Sequence, residues 1–379
     1  MSTTVRLIEN REQPHRSVST NKSSLQTLVA MLPGLQSYNL HDVLYALLPV
    51  SSDRAETGLE VNYEITLTKV FQQFVRYCAM SKLSIDIICT PWAPDIHAIE
   101  RYEREVRERD PAHLEAIPSW ICTTDKLPFG KRKKGVYGRR NGDVFAGHPD
   151  MPYYDAARGS SAVPIFGHTD EYGQIVLDGT MIVSGFQVGK IRHLANRAAA
   201  GTLHQEWIEM GEWRKGLSTI SDNFWRTLVA DRGPGGTTTP AWYHRACLYW
   251  LEFYEGEDVS YTVLQHRDHP SSAVQYMQRV QSIIWNRKLF ILIDKVGRRL
   301  LGLAPSSARQ GDVVAILHGC SVPVLLRQGR SDASEDGAGG SVQGAWWHLL
   351  GECFVYGIME GEAMQIQENV DATEEFLLR

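Results

Sequence analysis

"GRRLLGLAPSSARQGDVVAILHGCSVPVLLRQ", residues 297–328, alternates apolar runs of strand length with Gly, Pro, Ser and polar turn residues. Runs of that length, bounded in that way, read as β-strands. "KLFILID" at 288–294 precedes them and "AWWHLLGECFVYGI" at 345–358 follows, so the last third of the chain reads as one antiparallel sheet or a small barrel. The stretch at 329–344 is rich in Gly, Ser and Asp, and it reads as a flexible insert at a hairpin tip.

Upstream the period changes. Leu25, Leu28, Val29 and Leu32 recur at helical spacing behind Ser23 and Ser24, and Pro33-Gly34 stops them. In "NLHDVLYALLPV", 39–50, Asn39 is the candidate N-cap, and Val43, Leu44, Leu47 and Leu48 form the apolar face. A third helix is predicted from Thr66 to Ser81, burying Val70, Phe71, Phe74, Val75 and Cys78. "DIHAIERYEREVRERDP", 95–111, has only the narrow stripe Ile99, Tyr102, Val106 and reads as a surface helix. Asp178-Gly179, set between apolar runs, signals a hairpin. Further helices are predicted around Trp207, at 224–229, 242–254 and 271–285, with Trp225, Trp250 and Trp285 as packing residues.

The predicted class is therefore α+β, with N-terminal and central helices packed on the C-terminal sheet. The segments are a disordered tail at 1–22, a helical region at 23–117, a long irregular loop region at 118–174, and an α+β region at 175–379.

Composition narrows the function classes. Apolar residues make up 43% and charged residues 22% of the 379, as in an ordinary globular protein. A net charge of -5 disfavours a nucleic-acid partner, which normally meets a basic excess. No apolar run approaches the roughly 20 residues that span a bilayer, and the N-terminus has no apolar signal core. Cys78, Cys89, Cys122, Cys247, Cys320 and Cys353 form no close pair. That is the pattern of reduced thiols in a cytoplasmic protein.

Each chemical candidate meets a plainer reading. His318 and Cys320 flank Gly319 at a strand connection, with no helix N-terminus to lower the thiol pKa, so Cys320 reads as buried structure, and Cys353 with it. "KRKKGVYGRR", 131–140, has the composition of a nuclear-import or nucleic-acid patch, but the acidic net charge favours a solvated loop. His266 and His269 lack the further ligands a metal needs. "GPGG" and "GAGG" lack P-loop and dinucleotide contexts. No catalytic, cofactor-binding or metal-ligating residue is assigned, and no cofactor is expected.

The order of segments resembles a known family. "LHDVLYALLPVSSD", "IPSW", "FWRTLVADRG" and the block from "GRRLLGLAP" to "FVYGIMEGEAM" resemble the region downstream of the signature domain in fungal heterokaryon-incompatibility (HET-domain) proteins, over most of residues 25–365. Those proteins trigger growth arrest or cell death when genetically different hyphae fuse, through an N-terminal domain similar to TIR-type domains. The Y-x-x-L-S-Y-x-W-G start of that domain has no counterpart before Leu40, so no effector residue carries over. The resemblance implies a non-catalytic recognition or regulatory module with a protein partner, for which a HET-domain protein is the candidate. The alternative is a hydrolase-like enzyme whose site lies between the 118–174 loop and the sheet, where Asp125, Asp143, His148, Tyr153 and His168 supply acid–base groups.

Overall fold

The computed structural model describes residues 23–35, 37–109, 116–131, 135–169, 172, 175–252, 269–329 and 346–379. The predicted tail at 1–22 and nearly all of the predicted insert lie outside the described residues. So do His266 and the 337–340 "GAGG".

Nine strands form one sheet: β1 Ile165–Thr169, β2 Ile175–Arg197, β3 Arg287–Asp294, β4 Arg299–Pro305, β5 Val313–Leu317, β6 Val324–Gln328, β7 Trp346–Glu352, β8 Phe354–Val355 and β9 Glu374–Leu378. Neighbours run β8–β4–β3–β2–β9–β7–β6–β5, β1 adds to β2, and β5 pairs back onto β2. β7 passes through Cys353 into β8, which pairs with β4. The circuit β2–β3–β4–β8/β7–β6–β5 therefore closes a barrel.

Closure explains the uninterrupted apolar runs. Phe186, Phe290, Leu292, Val314, Ile316 and Leu325 belong to one buried cluster within the barrel. Their neighbours of opposite parity, such as Leu289, Ile291, Val313, Ala315 and Leu326, join a second cluster shared with the helices. Strands covered on both faces need no polar alternation. All five residues of β5 are buried for this reason.

β2 makes closure geometrically feasible. Its 23 residues pair in turn with β1, β9, β5 and β3. The register shifts between Gln187 and Gly189, the mark of a bulge that bends and twists a strand. At Gly189 a Cβ would stand 2.6 Å from the Ile293 carbonyl oxygen, so only glycine lets β3 approach.

One sequence expectation requires correction here. Asp178-Gly179 is no hairpin turn: both lie inside β2, where Gly179 takes φ 85° and Asp178 Oδ1 accepts from the Thr180 backbone N–H at 3.0 Å. The turn chemistry is used for a local irregularity, because strands pair with β2 on either side of it. The strands read from the sequence pair antiparallel with one another, and the sheet as a whole is mixed only through β9, which the sequence reading did not mark. β9 runs parallel to β7, Trp346 opposite Leu377. The intervening chain, with helix Gln367–Asp371, crosses over and returns in the same direction.

The helices follow their caps. Ser24 caps Leu25–Met31 by accepting from the Thr27 N–H at 3.2 Å, and Thr66 caps Leu67–Lys82 by accepting from Lys69 at 3.3 Å. The second buries Phe71 and Phe74 edge-on against Trp92, with ring centroids 5.1 and 4.8 Å apart. "NLHDVLYALLPV" gives only the short helix Asp42–Tyr45 and a 3-10 turn Leu48–Val50. Asn39 Oδ1 accepts from His41 N–H at 3.1 Å, capping a turn in place of a full helix. Helices also occupy Ile96–Arg109, Gln205–Met210, Asp222–Leu228, Trp242–Glu252 and Ser271–Ile284. Among the described residues, no helix is long and apolar enough to cross a membrane.

Much of 118–174 is ordered against the barrel and the helices. It contributes Trp120, Phe145, Tyr154 and Phe166 to the core, with short hairpin pairings at 129–131 with 137–139 and 147–148 with 151–152.

Candidate functional site: a cationic cleft at one end of the barrel

β2 and β4 end, β3 begins and β7 ends at the same rim of the barrel, and residues 122–126 and 139–144 lie across it. Arg287 opens β3 and Glu352 closes β7. Their side chains, only 10% and 11% exposed, meet at 3.2 Å. Glu352 also accepts from the Phe145 N–H at 2.8 and 2.9 Å and from the Ala146 N–H at 2.9 Å. The Arg287 guanidinium lies 3.7 Å over the Phe145 ring and donates to the carbonyls of Ile283 at 2.6 Å and Asp143 at 2.7 Å. Burial pushes the Glu352 carboxyl above the ordinary range, and Arg287 and the two amides pull it back. This pair fastens the crossing segment to the barrel.

Beside it opens a cleft of about 880 Å³. Side-chain hydrogen bonds tie its polar frame together. Asn286 Nδ2 donates to Asn141 Oδ1 at 2.8 Å, and Asn141 Nδ2 donates to the carbonyls of Asp125 at 2.8 Å and Leu127 at 3.0 Å. Two lining residues, Ala200 and Asn286, hold φ of 52° and 61°. Left-handed backbone away from glycine costs roughly 1 kcal/mol or more per residue and gathers at functional sites.

The lining is cationic. Lys126, Arg139, Arg140, Arg197 and Arg287 face it, against the carboxylates of Asp125 and Glu352. Arg139 is held by Asp143 at 2.8 Å, and Arg140 only loosely by Asp95 at 3.7 Å. Lys126 and Arg197 make no ion pair and no side-chain hydrogen bond among the described residues. Half-buried Trp285, expected as a packing residue, forms part of the wall.

The acid–base groups named from the sequence do not converge. Asp125 lines the cleft, with Oδ1 buried and without a hydrogen-bond partner among the described residues. Asp143 is engaged behind it by Arg139 and by Arg279 at 3.3 Å. His148 Nδ1 accepts from the Asp150 N–H at 3.2 Å. His168 pairs with Asp178 at 3.0 Å in the exposed β1–β2 hairpin. The Tyr153 carbonyl accepts from Arg232 at 2.7 Å.

His318 and Cys320 are no couple either. Cys320 Sγ faces Cys89 Sγ at 3.8 Å, both residues buried; the contact with Cys320 and then burial push the Cys89 thiol up, while at Cys320 the same contact lowers the pKa and burial, with the Asp86 charge, leaves it raised. Cys353 Sγ donates to the Pro323 carbonyl at 3.5 Å. His269 Nδ1 lies 3.0 Å from the Tyr249 hydroxyl, and no group of His, Cys, Asp and Glu among the described residues is arranged to hold a metal. In the basic run, Arg139 and Arg140 reach the cleft, while 132–134 lie outside the described residues. The "GPGG" turn packs Gly236 against the Tyr153 ring.

Lys126, Arg197, Arg287 and Glu352 went unmarked in the sequence. They come from separate segments, and no local spacing announces them. No protein-family model, no curated protein and no solved structure matches the chain.

Proposed function

We propose that the chain is a non-catalytic recognition or regulatory module, resembling the downstream part of fungal heterokaryon-incompatibility proteins, whose ligand sits in the barrel-end cleft. The observation that supports it is the character of the lining. A cleft of about 880 Å³ falls in the range of small-molecule sites. Among the described residues its lining offers charge for binding and places no nucleophile within hydrogen-bond reach of a base. The thiols nearest to it, Cys89 and Cys122, are buried and pushed up in pKa, the wrong direction for attack.

The reading carries a cytoplasmic setting and a protein partner. Affinity capture with and without a co-expressed full-length HET-domain protein tests the partner. A thermal-shift screen of anionic, neutral and cationic metabolites tests the cleft, with Ser307→Trp at its exposed edge as the blocked control. Ligands that stabilise the native chain and fail on the variant support the reading. Equal shifts in both, or none, overturn it. The hydrolase reading has the cleft's position in its favour, between the 118–174 segment and the sheet; turnover of a bound compound would establish it instead.

A further inference from the structure

We infer that the cleft takes a phosphorylated small molecule carrying hydroxyl groups, of the sugar-phosphate or nucleotide class. The inference rests on the recognition reading and specifies its ligand.

The charges on the lining point to phosphate. Arg287 is neutralised by Glu352 and fixed by two carbonyls, so it belongs to the framework. Arg139 is held by Asp143 at 2.8 Å and by the carbonyls of Ser282 and Asn141. Three donors remain on the same lining: Lys126 and Arg197, without ion pairs among the described residues, and Arg140, whose nearest carboxylate oxygen is 3.7 Å away. A phosphate monoester brings about -1.5 to -2 charges and three strong acceptor oxygens. It therefore matches these cations in both charge and number of contacts. A single carboxylate brings one charge and two oxygens, and leaves donors unmet.

Asp125 adds the second element. Its carboxylate borders the same cleft, and Oδ1 has no hydrogen-bond partner among the described residues. Such an acceptor repels a bare anion but suits a hydroxyl or amino donor attached to one. A phosphate and a hydroxyl on one molecule satisfy both features. Trp285 stands in the same wall.

Titration calorimetry on the full chain with ribose 5-phosphate, ATP, inorganic pyrophosphate and adenosine tests this. Ribose 5-phosphate or ATP should bind, and whichever binds more tightly assigns the subclass. Adenosine should not bind. Raising salt from about 50 to about 500 mM should weaken binding. Lys126→Gln and Arg197→Gln should each weaken it about tenfold, since each removes a charge-assisted contact. Arg76→Gln, an exposed cation on the Leu67–Lys82 helix, should change nothing. Asp125→Asn should weaken ribose 5-phosphate but not pyrophosphate. Unchanged melting temperatures show that the variants are folded. If the screen finds a neutral ligand in the cleft while every phosphorylated probe fails, the phosphate assignment is overturned and the recognition reading stands. If no compound of any charge binds, both fall. Tighter binding of single-stranded nucleic acid than of any small probe also overturns the assignment.

Discussion

Arg287 and Glu352, 65 residues apart in sequence, form a salt bridge at 3.2 Å with both side chains almost sealed from solvent. Each is held by further hydrogen bonds, so the pair is a fitted buried unit. Removing one partner leaves an uncompensated charge in the core, which costs about 3–5 kcal/mol. Glu352→Leu alone should lose stability on that scale in urea unfolding. The double variant Arg287→Met with Glu352→Leu should lose less than the two single losses added together. Additive losses would mean that the two side chains act independently.

Gly189 is where β2 lets β3 in. Gly189→Ala places a Cβ 2.6 Å from a backbone oxygen that cannot swing away. The expected cost is about 1–3 kcal/mol, as for overpacking. A thermal melt reads it directly, and a neutral result would show that the barrel relaxes at this bulge.

Cys320 is fully buried against Cys89. Cys320→Ala should cost on the order of 1 kcal/mol through lost packing. Iodoacetamide should label Cys320, Cys247 and Cys353 slowly in the native protein. Rapid labelling of Cys320 alone would reveal a reactive thiol that the buried geometry does not provide.

His318 has its pKa lowered from the ordinary 6.5 by burial, and His348 is lowered by burial and then by Lys126 and Arg327. In both, the folded state favours the neutral ring. As pH falls through about 6.5 the unfolded chain takes up protons first, so stability is lost below that pH and is whole above it. The melting temperature should change little from pH 7.5 to 6.5 and fall from pH 6.5 to 5.5. His318→Gln should flatten the acid side of the profile. An unaltered profile in that variant would assign the dependence elsewhere.

Local chemistry was legible wherever neighbours in sequence settle it. Ser24 and Thr66 cap the helices they precede, and the apolar spacing of 67–82 places Phe71, Phe74 and Cys78 inside. The strand-length runs after 287 are strands, and the α+β class follows from their order. The six thiols are buried and unbridged, as their scattered positions suggested. A period of two or 3.6 is a property of the segment, so the segment reports it.

What lay beyond the sequence depends on partners distant along the chain. Asp178-Gly179 has the composition of a turn, yet the pairing of β1, and of β9 from the far end of the chain, extends β2 straight through it. β9 went unmarked in the sequence, and its parallel pairing with β7 is set by where a crossover delivers the chain. The cleft is the clearest case. Lys126, Arg197, Arg287 and Glu352 share no motif, and they meet only because barrel closure brings the ends of four strands to one rim. Propensity and caps act within a few residues, whereas closure is decided by burial and pairing summed over the whole sheet. The sequence by itself therefore determined the elements, and the tertiary structure alone decided the site.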